Sequence, residues 1–413
     1  MAIRGWVLIG LLLLLSGCLD QSSSQSGDAP TQEHEETPPL AYLNAIRSAA
    51  GMSGFSHGDR LSEAAQNHAD YLAHHNMSGH IQQKGQALYS GTTPKDRLRF
   101  VESPSLYVLE NVSVGQSDYA ASIDGLMSAI YHRFGFLAFF ADEIGYAQKD
   151  RAFVYKMGVG GLHGLCAYDS QQGGSRYLEL CFDEEIPLYV SEYESLQAQV
   201  KGAQPAIVRY PYDGQIGVPT AFFQETPDPM PDQEISGYPV SVQFNPIDTT
   251  EPITLERFKL YKNCSTEPLS QTRILTEQSD PNRQFSNKEF ALFPLQRLAF
   301  GTLYCVEFDY REGDTPHSLQ WRFETESIAN RIDIDDDGQT HTLQRNKRYH
   351  INFIPWDVTL STAQNKYGYS ATAGLEIDAA LFDAYIVSLE VTGEAAGTID
   401  LDLKGRTVHL VIE

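Results

Sequence analysis

Positive charge is scarce in this sequence: 30 Lys and Arg stand against 54 Asp and Glu over 413 residues, a formal charge of −24. A polyanion would meet net repulsion, so nucleic acid is set aside as a partner, while a cation or a basic ligand stays open. Long apolar runs are missing too. Residues 6–15 form one, but it falls short of the roughly 20 residues that a helix needs to span a bilayer. Cysteine is rare, five in all, and no spacing among them suits a zinc site. No Gly-x-Ser-x-Gly elbow supplies a nucleophile, and no internal repeat makes the later parts of the chain copies of each other.

What is present begins with Arg4 ahead of the apolar run, which ends in Leu15-Ser16-Gly17-Cys18. This resembles a bacterial lipobox, so residues 1–17 are expected to be a lipoprotein signal peptide and Cys18 the lipidated first residue. More than one acyl chain would anchor the chain stably in the bacterial cell envelope, and Leu19 in place of Asp favours the outer membrane. Residues 18–38, rich in Ser, Gln, Glu and Pro, are expected to be a disordered tether. Four cysteines then remain, Cys166, Cys181, Cys264 and Cys305, an even number that suits disulfides in an exported protein. Three pairings are possible. Proximity favours Cys166 with Cys181, across a hairpin turning at residues 171–175, and Cys264 with Cys305.

Helical periodicity marks residues 40–51, 61–76, 93–98 and 118–131; in the second, Leu61, Ala64, Ala65, His68, Ala69 and Leu72 make one apolar stripe. Residues 143–147, 152–159, 163–168 and 177–182 read as strands, so the first part of the chain is an α+β layered domain. After Glu184 the texture changes: prolines recur from Pro205 to Pro239 with no helical period, and strands separated by turns are expected. The division that follows is a first domain over residues 39–190, an Ig-like β-sandwich over residues 205–326 and a small C-terminal β domain over residues 328–413.

Several motifs of the first part occur in the order of a known family. "LNAIRSAAGM" from Leu43, "LSEAAQNHADYLAHHNMSGH" from Leu61, "ENVSVG" from Glu110, "LMSAIYHRFGFL" from Leu126 and "DEIGYA" from Asp142 together resemble the CAP superfamily. This is the superfamily of cysteine-rich secretory proteins, antigen 5 and pathogenesis-related proteins, and the likeness is to its bacterial, SCP-like branch. Here Gly79 separates Ser78 from His80, and Tyr131 stands where the family usually has Gly. The resemblance implies a three-layer α/β/α sandwich, followed in this chain by one or two small β-sandwich-like domains. It also implies a cleft carrying two His and two Glu, which fall on His80, Glu110, His132 and Glu143.

Two imidazoles and two carboxylates converging on a cleft suit either a divalent cation, with Zn2+ held by His80 and His132, or acid and base work. Two function classes stay open. One is an envelope protein whose cleft binds a small molecule, lipid or peptide; the other is a metal-assisted, peptidase-like hydrolase using the same four residues. Other residues have plainer readings. His68 belongs to the buried stripe, His74 and His75 to a helix end, His57 to a surface loop, and Arg133 to a structural pair with a carboxylate. Glu110 has a plainer alternative as well, orienting its loop through backbone hydrogen bonds. Asp333-Ile334-Asp335-Asp336-Asp337-Gly338 imitates half a calcium loop, but Gln344 stands where a bidentate Glu is required, so an acidic hairpin turn is expected.

Overall fold

The computed structural model describes residues 38–168, 173–354 and 366–413. The signal peptide, Cys18 and residues 18–37 of the tether lie outside them. In chain order the first part runs α1 (Pro39–Ala49), β1 (Ser56–His57), α2 (Asp59–His75), α3 (Pro94–Phe100), β2 (Leu109–Val114), α4 (Tyr119–Ser128), α5 (Ile130–Phe136), β3 (Glu143–Lys149), β4 (Ala152–Gly158) and α6 (Gly160–Leu165).

The four strands form a sheet in the order β1-β3-β4-β2. Every residue of β4 is buried, because both faces of the sheet are covered. Ala152 and Val154 meet Ala65, Ala69 and Leu72 of α2, while Phe153, Tyr155 and Met157 meet Leu43 of α1, Ile123 of α4 and Phe136 of α5. The alternation of a strand and the stripe of a helix thus dictate three layers. Gly145 permits the closest contact: a Cβ there would lie 2.1 Å from the Ser62 nitrogen, so α2 rests directly on the backbone of β3. Helix α2 ends where Asn76 turns left-handed (φ 49°), a conformation Asn tolerates.

Three sequence expectations need correction here. The helix expected over residues 118–131 breaks at Ala129, whose ψ of 116° separates α4 from α5. Residues 163–168 are not a strand: α6 covers the first of them, and Leu162 and Cys166 are buried at helical spacing. Of residues 177–182 only Tyr177 is in a strand, β5 (Arg176–Tyr177), which pairs with β6 (Leu188–Tyr189). Helix α7 (Val190–Gly202) was not foreseen, because Val200 is its one buried residue and an amphipathic stripe is missing. The disulfides Cys166–Cys181 and Cys264–Cys305 are both formed.

Beyond α7 every regular element among the described residues is a strand. Thr272–Leu275, Glu289–Pro294, Val240–Phe244 and Ile207–Tyr210 form one sheet, and Ile253–Lys262, Leu303–Glu312, Thr315–Thr325 and Gln215–Val218 another. Phe244, Phe290, Phe308 and Phe323 fill the space between them. The same apolar cluster runs without interruption into Met127, Phe136 and Tyr155 of the first part. Two further four-stranded sheets close the chain around Ile351, Val387, Leu401 and Leu410.

Arg133 pairs with no carboxylate among the described residues. It is fully buried, donates to the carbonyls of Met127 and Pro239 at 2.7 Å each and to Ser241 Oγ at 3.0 Å, and lies over the rings of Tyr210 and Tyr238. The guanidinium is solvated instead by a carbonyl of α4 and by a carbonyl, a hydroxyl and two aromatic faces of the second region. The acidic segment at Asp333 is not a hairpin, since the flanking strands Arg331–Ile334 and Gln339–Leu343 belong to different sheets. Asp333 is engaged by Arg331 and Asn352, and Asp337 accepts from the Thr407 amide.

Candidate functional site: a cleft shared by two regions

Glu110 sits on β2 directly opposite Lys156 of β4, and its side chain is 1% exposed. A carboxylate so placed needs counter-charge and hydrogen-bond donors, and three elements supply them. Lys156 donates to Oε2, and Arg97 of α3 reaches both oxygens at 2.7 and 2.9 Å while also donating to the His80 carbonyl at 3.0 Å. His80 Nδ1 approaches Oε1 at 3.0 Å. Burial alone would raise the Glu110 pKa, but Lys156, the His80 bond and Arg97 outweigh it and hold the carboxyl well below the usual range. Glu110 is therefore ionised and acceptor-only. Burial lowers Lys156 to about 8, partly offset by Glu110.

His68 stands behind this pair, as its place on the α2 stripe implied. It is fully buried, bonded through Nε2 to the Gly79 carbonyl at 3.0 Å and through Nδ1 to Gln82 at 3.1 Å. It thereby fixes the turn that presents His80. Burial pulls its pKa down to about 4, against the pull of Glu110.

His132, on α5, lies with its ring centroid 6.3 Å from that of His80 and the planes within 23° of parallel. Its Nδ1 is held at 2.8 Å by Glu225 Oε2, a carboxylate 1% exposed. The Tyr131 amide donates to the same carboxylate, and the Tyr131 hydroxyl bonds Asp280 and accepts from Asn282 Nδ2 at 3.0 Å. From inside the sandwich, Asn111 Nδ2 donates to the His132 carbonyl at 2.8 Å. Each imidazole is thus fixed through Nδ1 by a buried carboxylate, and neither Nε2 makes a hydrogen bond among the described residues.

Between them opens a cleft of about 750 Å³, within the range of small-ligand sites. One wall is His80, Tyr107, Leu109, His132 and Phe139; the other is Pro227, Gln243, Phe244, Pro246 and Asn287 from the second region, with Lys201 of α7 at the edge. Of the four residues expected from the sequence, the structure brings three together.

Glu143 stands apart from them. Its carboxylate bonds His163 Nε2 at 2.7 Å, a bond that raises the His163 pKa, and it lies against Gly58. The second acid of the cleft is instead Glu225, which sequence reading missed because nothing local marks it. His57, on β1, is exposed and bonded to Ser62, and His75 reaches the Ala87 carbonyl at the end of α2.

The donor set decides what metal chemistry fits. Among the described residues no three His, Cys, Asp or Glu are arranged to hold a metal ion. Both cleft carboxylates are spent on cations, amides and Nδ1 groups, which leaves two ring nitrogens where a catalytic zinc uses three protein ligands. The residues do not fit such a centre. No helix among the described residues is long and apolar enough to cross a membrane.

No curated protein matches the chain. Among solved structures it is similar to an extracellular protein containing a SCP domain from Bacillus anthracis str. Ames, at 19% identity and a TM-score of 0.27, over 29% of this chain and 39% of that one. The chain thus spans well under half the length of that relative. The titin fragment A168169 matches at 12% identity and TM-score 0.16, over 51% of this chain and 100% of that one. Domains 1-6 of the surface layer protein SbsC match at 10% and 0.18, over 54% of this chain and 28% of that one. The family model of CAP, the cysteine-rich secretory protein family, matches residues 40–152, and over that segment the chain carries a CAP domain.

Proposed function

We propose that the protein is a bacterial cell-envelope lipoprotein whose CAP-domain cleft binds a small ligand, lipid or peptide. The observation that carries this reading is the pair of imidazoles, each braced by a buried carboxylate and each with an unengaged Nε2, at the wall of a 750 Å³ cleft lined with aromatic rings. Bracing of this kind costs two buried carboxylates, which a mere packing contact does not need. Binding is favoured over hydrolysis because the cleft lacks an activated nucleophile and has too few donors for a catalytic zinc. Anchoring is supported by Leu15-Ser16-Gly17-Cys18 and by two disulfides, which suit an oxidising compartment.

The test is to recover the full mature chain from its host's envelope without denaturation and weigh it by native mass spectrometry, beside the His80→Ala/His132→Ala variant. A co-purifying small molecule present in the parent and absent from a folded variant is expected. Equal loads in both would sink the cleft reading. Stoichiometric zinc in the parent alone would overturn the donor argument and reopen metal-assisted hydrolysis. An N-terminal peptide carrying acyl groups on Cys18 is expected in the same sample.

A further inference from the structure

We infer that the cleft selects ligands bearing N–H or O–H donors, and that Glu225 is the positioning residue that fixes this polarity at His132. The inference rests on the binding reading above. Its physical basis is the tautomer of the two rings. An ionised carboxylate accepts and does not donate, so the bond between Glu110 and His80 requires the proton on Nδ1, and a neutral ring then leaves Nε2 as a lone pair. Glu225 imposes the same arrangement on His132 from 2.8 Å, and its own place is fixed by the Tyr131 amide. The free histidine side chain favours the Nε2–H tautomer, so both rings are held against their own preference.

Two acceptors therefore share one wall of the cleft. At these two nitrogens a carboxylate ligand would set lone pair against lone pair, and the cations of the lining, Lys201 and Lys288, belong to other elements than the two rings. An amide, amine or hydroxyl satisfies the acceptors. Glu225 lies beyond residues 40–152, which match the family, so the CAP segment alone does not contain the group that orients its second histidine.

The experiment is nitrogen NMR of the 15N-histidine-labelled full chain at neutral pH. Expected are Nδ1–H tautomers for both His80 and His132. Glu225→Leu should move His132, and not His80, to the Nε2–H form, whereas Glu225→Gln, whose amide oxygen still accepts, should keep the parent tautomer. A parent His132 protonated on Nε2, or a Glu225→Leu spectrum like the parent's, overturns the role of Glu225, and the parent measurement needs no variant to fold. Benzamide and benzoate then serve as probes. Benzamide should shift both ring signals at a concentration at least tenfold lower than benzoate, and the reverse order overturns the donor preference. Silence from both probes, with the tautomers as stated, counts against the binding reading and the donor preference while leaving the assignment of Glu225 standing.

Discussion

Glu225 and His132 meet at 2.8 Å although 93 residues separate them in the chain. The acid comes from the β-rich region and the base from the CAP segment, so the strands beyond α7 are part of the site's construction and not only a spacer. Asp280 and Asn282 extend the same grip to the Tyr131 hydroxyl. A loop of the second region thus holds the start of α5 from outside.

Replacing Glu110 by Gln should be among the most costly single changes in the molecule. It leaves Arg97 and Lys156, both fully buried, without their counter-charge. Breaking a buried ion cluster in this way costs about 3–5 kcal/mol. Denaturant unfolding measures it, and a loss under about 1 kcal/mol would mean that water reaches the cluster.

Stability should fall with acid through His68. Its pKa is lowered from 6.5 to about 4 in the folded chain, chiefly by burial. Between those values the unfolded chain binds a proton that the folded chain refuses, so stability is fully present above pH 6.5 and drains as pH falls toward 4. The loss is on the order of 3 kcal/mol. His68→Gln should flatten the slope in that window, as read by unfolding at a series of pH values. An unchanged slope would assign it to other groups.

Arg133→Met should loosen the attachment of α5 to the strands behind it. Four carbonyl or hydroxyl acceptors, the Tyr210 carbonyl among them, lose a charged donor and two tyrosine faces lose a cation. A destabilisation of about 2–4 kcal/mol is expected. Protease cleavage between α7 and the first long strands should quicken with it. A variant as resistant as the parent would show that apolar packing alone holds the two regions.

Legibility followed range. Helix α2 could be read to within two residues because its stripe, from Leu61 to Leu72, is complete within the helix itself. The strands Glu143–Lys149 and Ala152–Gly158 were equally plain, since their turn and their apolar residues are local. Helix α7 was opaque because its neighbours, and not its own pattern, keep it in place. The first three cleft residues came through motifs, each a short string of neighbours. Glu143 failed as the fourth because a motif fixes its place in the strand but not where its side chain finds a partner. Arg133 was misread for a related reason: besides the nearby Met127 carbonyl, its partners are the Pro239 carbonyl and the Ser241 hydroxyl about a hundred residues later, which carry no sequence signature.

The divided ownership of His132 has a consequence for inheritance. If recombination carried residues 40–152 alone into another gene, His80, Glu110 and His132 would travel and the acid that orients the last of them would stay behind. A descendant keeping the cleft as it is here must therefore inherit both regions together or find a second acid of its own. Substitutions at Glu225 and His132 are tied to each other's fate despite their distance in the chain.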